Sequence, residues 1–220
     1  MSADLEDARS AVAAASRRLA REGLLIGTAG NVSVIAGDHV AVTATGADLS
    51  TVTAGEVIVV DRAGRVVLGD LEPTSEIDLH LGVYARHDAT SVVHTHAPMA
   101  TALSCVLEEL PCIHYQQLLL GGAVRVAPYA TFGTPELATS VVEALTGRQA
   151  ALMANHGSVT TGASLEKAVE NALLLEWLCE VYRHASAVGD PQVLDEDQQL
   201  AVITAAVERK YGSTKPAKEE

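Results

Sequence analysis

LLIGTAGNVSVIAGDHVAVTATG, residues 24–46, sets short β-branched runs between glycines and an asparagine. Such β-branched runs broken by Gly and Asn predict a hairpin-rich strand region. The same pattern recurs in GEVIVVDRAGRVVLG, residues 55–69, around an Asp-Arg-Ala-Gly turn. Upstream, Leu5, Ala8, Val12, Ala15 and Leu19 recur at three- and four-residue steps, so residues 4–22 are predicted to form an amphipathic helix that stops at Gly23. Downstream, EPTSEIDLHLGVYARH turns helical with Thr74 or Ser75 as N-cap, TSVVHTH is a strand, and PMATALSCVLEEL is read as one helix with Pro98 in its first turn. VRVAPYATFGTPELATSVVEALTG gives strand, loop and helix, AALMANHG a buried strand ending in a turn, residues 165–189 a long helix, and residues 196–209 a last one. Early hairpins followed by mixed elements predict a single three-layer α/β/α domain whose central sheet is mixed and largely antiparallel. The domain is expected over residues 1–212, with 213–220 as a mobile tail.

The 220 residues are 48% hydrophobic and 20% charged, enough for a large core. A formal net charge of -13 disfavours a nucleic-acid partner, which needs clustered Lys and Arg, but not a small anionic substrate, which senses the local field. No apolar run approaches the ~20 residues of a membrane span, and the N-terminus lacks the pattern of a signal peptide. Cys105, Cys112 and Cys179 form no Cys-x-x-Cys pair, which fits reduced thiols and a cytoplasmic location. There is no G-x-G-x-x-G or P-loop stretch.

His94 and His96 lie two residues apart, and side chains at i and i+2 of an extended segment share a face. His156 ends the buried run AALMAN, where Asn-His-Gly supplies a turn that lifts a side chain over a strand end. Three imidazoles match a catalytic zinc site with an open fourth position, although His-x-His alone also recurs by chance. His39, His87 and His184 sit among polar residues and are expected to be solvated, and His80, one helical turn after Glu76, reads as a packing or supporting residue.

GTAGNVSV (27–34), TATGADLS (43–50) and PTSE (73–76) combine glycines, hydroxyls and a helix start. They could cradle a phosphate without lysine, through amides near Gly30, Asn31 and Gly46 and the hydroxyls of Thr45, Thr74 and Ser75; equally, they are the furniture of ordinary hairpin turns and a cap. Glu76 in a first helical turn is a dipole partner by default; beside a metal it becomes a fourth ligand or a general acid/base.

The ordered set GTAGNVSV, TATG, EPTSE, VVHTHAPMATALS, IHY, APYATFGT, NHG and LEKAVENALLLEWL resembles the class II aldolase/adducin family, on its sugar-phosphate aldolase side, from about residue 5 to about 212. The resemblance implies zinc (or another divalent transition metal) held by His94, His96, His156 and Glu76, and a phosphate site at Gly30, Asn31, Thr45, Gly46, Thr74 and Ser75. It implies Glu76 and Tyr115 as catalytic residues, Tyr115 donating a proton in a neighbouring subunit's site, Tyr211 near the substrate, and a homotetramer with sites at subunit interfaces. The activity implied is cleavage of a ketose 1-phosphate, of the L-fuculose-1-phosphate kind, to dihydroxyacetone phosphate and a small aldehyde. A sugar-phosphate dehydratase or a sugar-acid-phosphate decarboxylase on the same fold, or a non-catalytic adducin-like module, stands as the alternative. The family's phosphate turn usually carries two serines, and here the first is Thr74; the epimerase branch usually carries Asp where this chain has Glu76.

Overall fold

The structure, a computed structural model, describes residues 3–212, and the expected tail at 213–220 lies outside the described residues. The first helix, α1 (Ala3–Arg21), ends with Gly23 at φ +78°, the left-handed stop that the glycine was expected to supply. β1 (Asn31–Ala36) and β2 (His39–Thr43) form the hairpin read from the opening stretch, and β3 (Val57–Asp61) and β4 (Val66–Leu68) form the second around Asp61 to Gly64. α2 (Ile77–Arg86), β5 (Ser91–Thr95), α3 (Pro98–Ser104), β6 (Glu109–Leu110) and a 3-10 helix (Tyr115–Leu120) follow. The chain continues through β7 (Val124–Ala127), α4 (Pro135–Ala144), β8 (Ala150–Met153), β9 (Gly157–Gly162), α5 (Leu165–Ser186) and α6 (Glu196–Arg209).

The strands make one sheet in the order β4-β3-β2-β1-β5-β9-β8-β7-β6. Every neighbouring pair runs antiparallel except β7 and β8, so the sheet is mixed and largely antiparallel as expected. Alternation sorts the side chains into two cores. Val93, Ala150 and Leu152 face α1, α3 and α5, whereas Val92, Ala151 and Met153 face α2 and α4. That is the three-layer arrangement, with about 25 cal/mol stabilising each Å² of apolar surface withdrawn on either face.

Four expectations need correction. The helix from Pro98 ends at Ser104, because Leu110 is fully buried by pairing with Val124 at the sheet edge instead of continuing a helix. β9, GSVTTG, is a strand where only a turn was read. Neither Thr74 nor Ser75 is the N-cap of α2: that residue is Glu76, and Thr74 closes the turn ahead of it, its carbonyl accepting from Ile77 N and its hydroxyl from Glu76 N at 3.3 Å. His39 and His87 are half-buried rather than solvated, His87 Nε2 donating to Val142 O at 2.9 Å, while His184 is exposed as expected.

Candidate active site

Register brings the site together. Asn31 of β1 sits opposite His94 of β5, and His94 is opposite Val159 of β9, two residues past the turn that carries His156. Gly157 has to be glycine for this approach, since a β-carbon there would overlap the Thr95 carbonyl oxygen. Asn155 takes φ +55°, the left-handed turn conformation that asparagine tolerates, and so aims His156 back over the strand ends.

The rings of His94, His96 and His156 surround one point, with centroids 4.8, 4.9 and 4.9 Å apart and planes steeply inclined to one another. One ligand atom from each lies within 4.8 Å of the others. His94 Nδ1 is 2.9 Å from the Ser158 carbonyl oxygen, which only accepts, so Nδ1 carries a hydrogen and Nε2 is the ring atom turned to the cluster. His94 Nε2 lies 3.0 Å from His96 Nε2 and 3.2 Å from Glu76 Oε2. Glu76 Oε1 lies 3.6 Å from His156 Nε2 and is buried without a hydrogen-bond partner. Ring nitrogens and a carboxylate that converge in a buried space are a set that a bound cation would satisfy. With Zn–N of about 2.0–2.1 Å, tetrahedral ligand atoms stand about 3.3–3.4 Å apart, and the observed 3.0, 3.2 and 3.6 Å scatter around that value. The four residues therefore fit a divalent ion.

Electrostatics favours the ligand forms. Burial, reinforced by His94, holds His96 and His156 down to about 4, so both are neutral at physiological pH. Burial acts to raise the Glu76 carboxyl; the His94 imidazole beside it, the Asn31 hydrogen bond and the imidazoles of His156 and His80 act the other way and leave the group below its ordinary value.

Glu76, His96 and His156 line a cavity of about 470 Å³ whose wall also contains Gly30, Asn31, Thr45, Gly46, Thr74 and Ser75. All six residues expected to hold phosphate therefore meet in one place. The turns are joined there by a bridge between Ala44 and Pro73, and Thr45 N and Thr74 N donate to Glu72 O and Thr43 O. Those two amides are committed, and Thr45, Thr74 and Ser75, all in the lining, bring neutral hydroxyls to the site. Among the described residues no lysine or arginine lines it.

Tyr115 and Tyr211 are elsewhere. Their hydroxyls lie 3.2 Å apart, raising the Tyr115 phenol above its ordinary value, in an apolar groove between the 3-10 helix and α6 that does not share the histidine cavity's lining. Tyr129 and Phe132, both about two-thirds exposed, do line the histidine cavity. Sequence reading did not single them out, although two exposed aromatics in a chain only 3% aromatic are a usable signal.

Residues 10–183 match the family described as Class II Aldolase and Adducin N-terminal domain. Over 191 residues the chain is 37% identical to a 5-methylthioribulose-1-phosphate/5-deoxyribulose-1-phosphate aldolase of Rhodospirillum rubrum, covering 86% of each protein. It is 40% identical over 187 residues to an L-fuculose phosphate aldolase of Escherichia coli K12, covering 84% of this chain and 86% of that one. Among solved structures, an L-fuculose 1-phosphate aldolase superposes with a TM-score of 0.88 at 34% identity, over 96% of this chain and 98% of the other. With the histidine cluster in place and relatives of this identity that are aldolases, the chain belongs to the class II aldolase and adducin family, as an enzyme of its lyase branch.

Proposed function

We propose that this chain is a zinc-dependent aldolase that cleaves a ketose 1-phosphate between C3 and C4, giving dihydroxyacetone phosphate and a small aldehyde. The observation that carries the proposal is one cavity that joins two chemically distinct sets of groups: His96, His156 and Glu76, with His94 buried beside them, and hydroxyl-bearing glycine turns. The relatives' substrates, 5-methylthioribulose 1-phosphate, 5-deoxyribulose 1-phosphate and L-fuculose phosphate, are phosphorylated ketoses whose far end carries no hydroxyl. Tyr129 and Phe132 at the cavity rim suit such an apolar end.

Thr45, Thr74, Ser75 and the backbone around Gly30, Asn31 and Gly46 would hold the phosphate. His94, His96, His156 and Glu76 would hold the metal. When bound, a divalent cation supplies Lewis-acid stabilisation of the negative charge that develops on the ketose oxygens as the carbon–carbon bond breaks. Glu76 would carry the proton that joins or leaves C3. Tyr115 donates a proton to the aldehyde oxygen in synthesis, and cleavage runs that transfer backwards. Because Tyr115 and Tyr211 lie outside the lining of their own chain's cavity, both would act in the site of a neighbouring copy, in a homotetramer with sites between subunits. Unpaired cysteines agree with a cytoplasmic setting, and among the described residues no helix is long and apolar enough to cross a membrane.

The test is release of dihydroxyacetone phosphate from 5-deoxyribulose 1-phosphate and from L-fuculose 1-phosphate, before and after chelation. Activity is expected on at least one, to vanish on chelation and return with zinc; full activity after exhaustive chelation defeats the proposal. Glu76→Gln, which keeps one ligand oxygen, is expected to retain metal and lose about a hundredfold or more in turnover.

A further inference from the structure

A file of buried polar groups runs behind the site. Glu76, His80 and Tyr84 fall at i, i+4 and i+8 on α2, and Asn31 and Ser33 share one face of β1. Tyr84 Oη lies 2.6 Å from Ser33 Oγ, Ser33 Oγ lies 2.6 Å from His80 Nδ1, His80 Nε2 meets Asn31 Oδ1, and Asn31 Nδ2 donates to Glu76 Oε2 at 2.9 Å. Ser33 and His80 are fully buried and Asn31 is 4% exposed.

The direction of each bond follows from the far end. A carboxylate only accepts, so the Asn31 atom facing Glu76 is the amide nitrogen, and its carbonyl faces His80. That carbonyl needs a donor, so the hydrogen of His80 sits on Nε2. The neutral ring then accepts at Nδ1 from the Ser33 hydroxyl, which in turn accepts from Tyr84. Every hydrogen points toward Glu76, and bonds aligned head to tail strengthen one another in a low-dielectric interior.

We propose that Tyr84, Ser33 and His80 are positioning residues that act through Asn31 to commit Glu76 Oε2 and leave Oε1 as the oxygen that exchanges a proton with substrate. This builds on Glu76 as the proton carrier. The division between the two oxygens is visible: Oε2 takes the Asn31 bond and the nearer imidazole, and Oε1 is the buried atom with no partner. Without the relay the Asn31 amide can turn, and the carboxylate loses the contact that fixes its plane.

Two measurements test it on the full chain. Long-range proton–nitrogen spectra of histidine-labelled protein, with and without zinc, are expected to show His80 as the Nε2–H tautomer; an Nδ1–H tautomer overturns the relay. Kinetically, Ser33→Ala and Tyr84→Phe are each expected to lower kcat about five- to tenfold with KM changed less than twofold. His80→Gln, which keeps a donor toward Asn31, is expected to retain more turnover than His80→Leu. In a Glu76→Gln background Ser33→Ala is expected to change the residual rate less than twofold; a second five- to tenfold loss there marks a general packing defect and overturns the proposal. Near-normal turnover of Glu76→Gln alone removes Glu76 from the chemistry and overturns the assignment of Oε1 with it, whatever the His80 tautomer.

Discussion

At Gly30 the backbone takes φ +101°, and a β-carbon built there would stand 2.6 Å from Leu25 Cδ2 and 2.9 Å from the His94 carbonyl oxygen. The leucine tip can swing away. The carbonyl cannot, because His94 is fixed opposite Asn31 in the ladder between β1 and β5. Gly30→Ala therefore adds a clash to an unfavourable conformation, at a cost of about 2–4 kcal/mol, and pushes on the backbone that sets the His94 ring. Gly27, at φ +56° with nothing near its would-be β-carbon, is the control: Gly27→Ala is expected to cost about 1–2 kcal/mol from conformation alone. Urea unfolding beside a zinc titration separates the two. We expect Gly30→Ala to weaken zinc binding and Gly27→Ala to leave it unchanged; equal metal affinity in both variants would show that His94 does not depend on this contact. At this scale much of the site was legible. His94 and His96 stood out because a period of two is visible within one segment, and His156 because Asn-His-Gly is a turn wherever it occurs. Ser33 and Tyr84 were invisible as partners of His80, since nothing local to β1 says which helix lies beneath it.

Among the elements, α3 is a seven-residue helix whose start has an unusual cap. Met99 N and Ala100 N donate to the two carboxylate oxygens of Glu176, on α5, at 2.8 Å each. A remote carboxylate thus satisfies two open amides and meets the positive end of the helix dipole. Because α3 begins two residues after His96, the same clamp holds the segment that carries that ligand. Glu176→Ala is expected to cost about 1–2 kcal/mol in stability and to speed zinc loss, and Glu176→Gln less, since it keeps one acceptor. Thermal melts and the rate of metal transfer to a chelator measure the two effects; an unchanged transfer rate confines Glu176 to stability. No local pattern announces this cap, because its donor and acceptor are some 76 residues apart. β9 was missed for a related reason. GSVTTG has one valine and two glycines, and it is a strand because β5 and β8 pair with it on both sides. Its small residues are required there: a β-carbon at Gly162 would stand 2.5 Å from Ala168 N and 2.8 Å from Ser164 O, where α5 begins. The hairpins of β1 to β4, by contrast, needed only their own turns, and were legible.

For the molecule as a whole, the three layers followed from alternation, but the strand order, with β9 inserted between β5 and β8, belongs to tertiary pairing. That insertion places His156 beside His94 and His96 and links folding to protons. His96 and His156 are held at about 4 and His80 at about 3, each chiefly by burial, against an ordinary value of 6.5. Above pH ~6.5 neither the folded nor the unfolded chain protonates these rings, and their contribution is constant. As pH falls from 6.5 toward 4 the unfolded chain takes up protons that the folded chain refuses, so stability declines through that window and the histidine contribution levels off below about pH 3–4. Metal acts in the same window, because it binds only unprotonated imidazole and stabilises the folded chain by about 2.7 kcal/mol at a hundredfold excess over Kd. We therefore expect zinc-loaded protein to melt well above chelated protein at pH 7.5, and the gap to shrink steadily on acidification as protons compete for His94, His96 and His156. Chelated protein should also lose stability between pH 6.5 and 4. Paired melting curves at half-unit steps of pH check both slopes. A gap of zero at pH 7.5 would remove the metal from the fold, and a chelated protein that gains stability as pH falls through this range would mean the imidazoles are protonated where they stand.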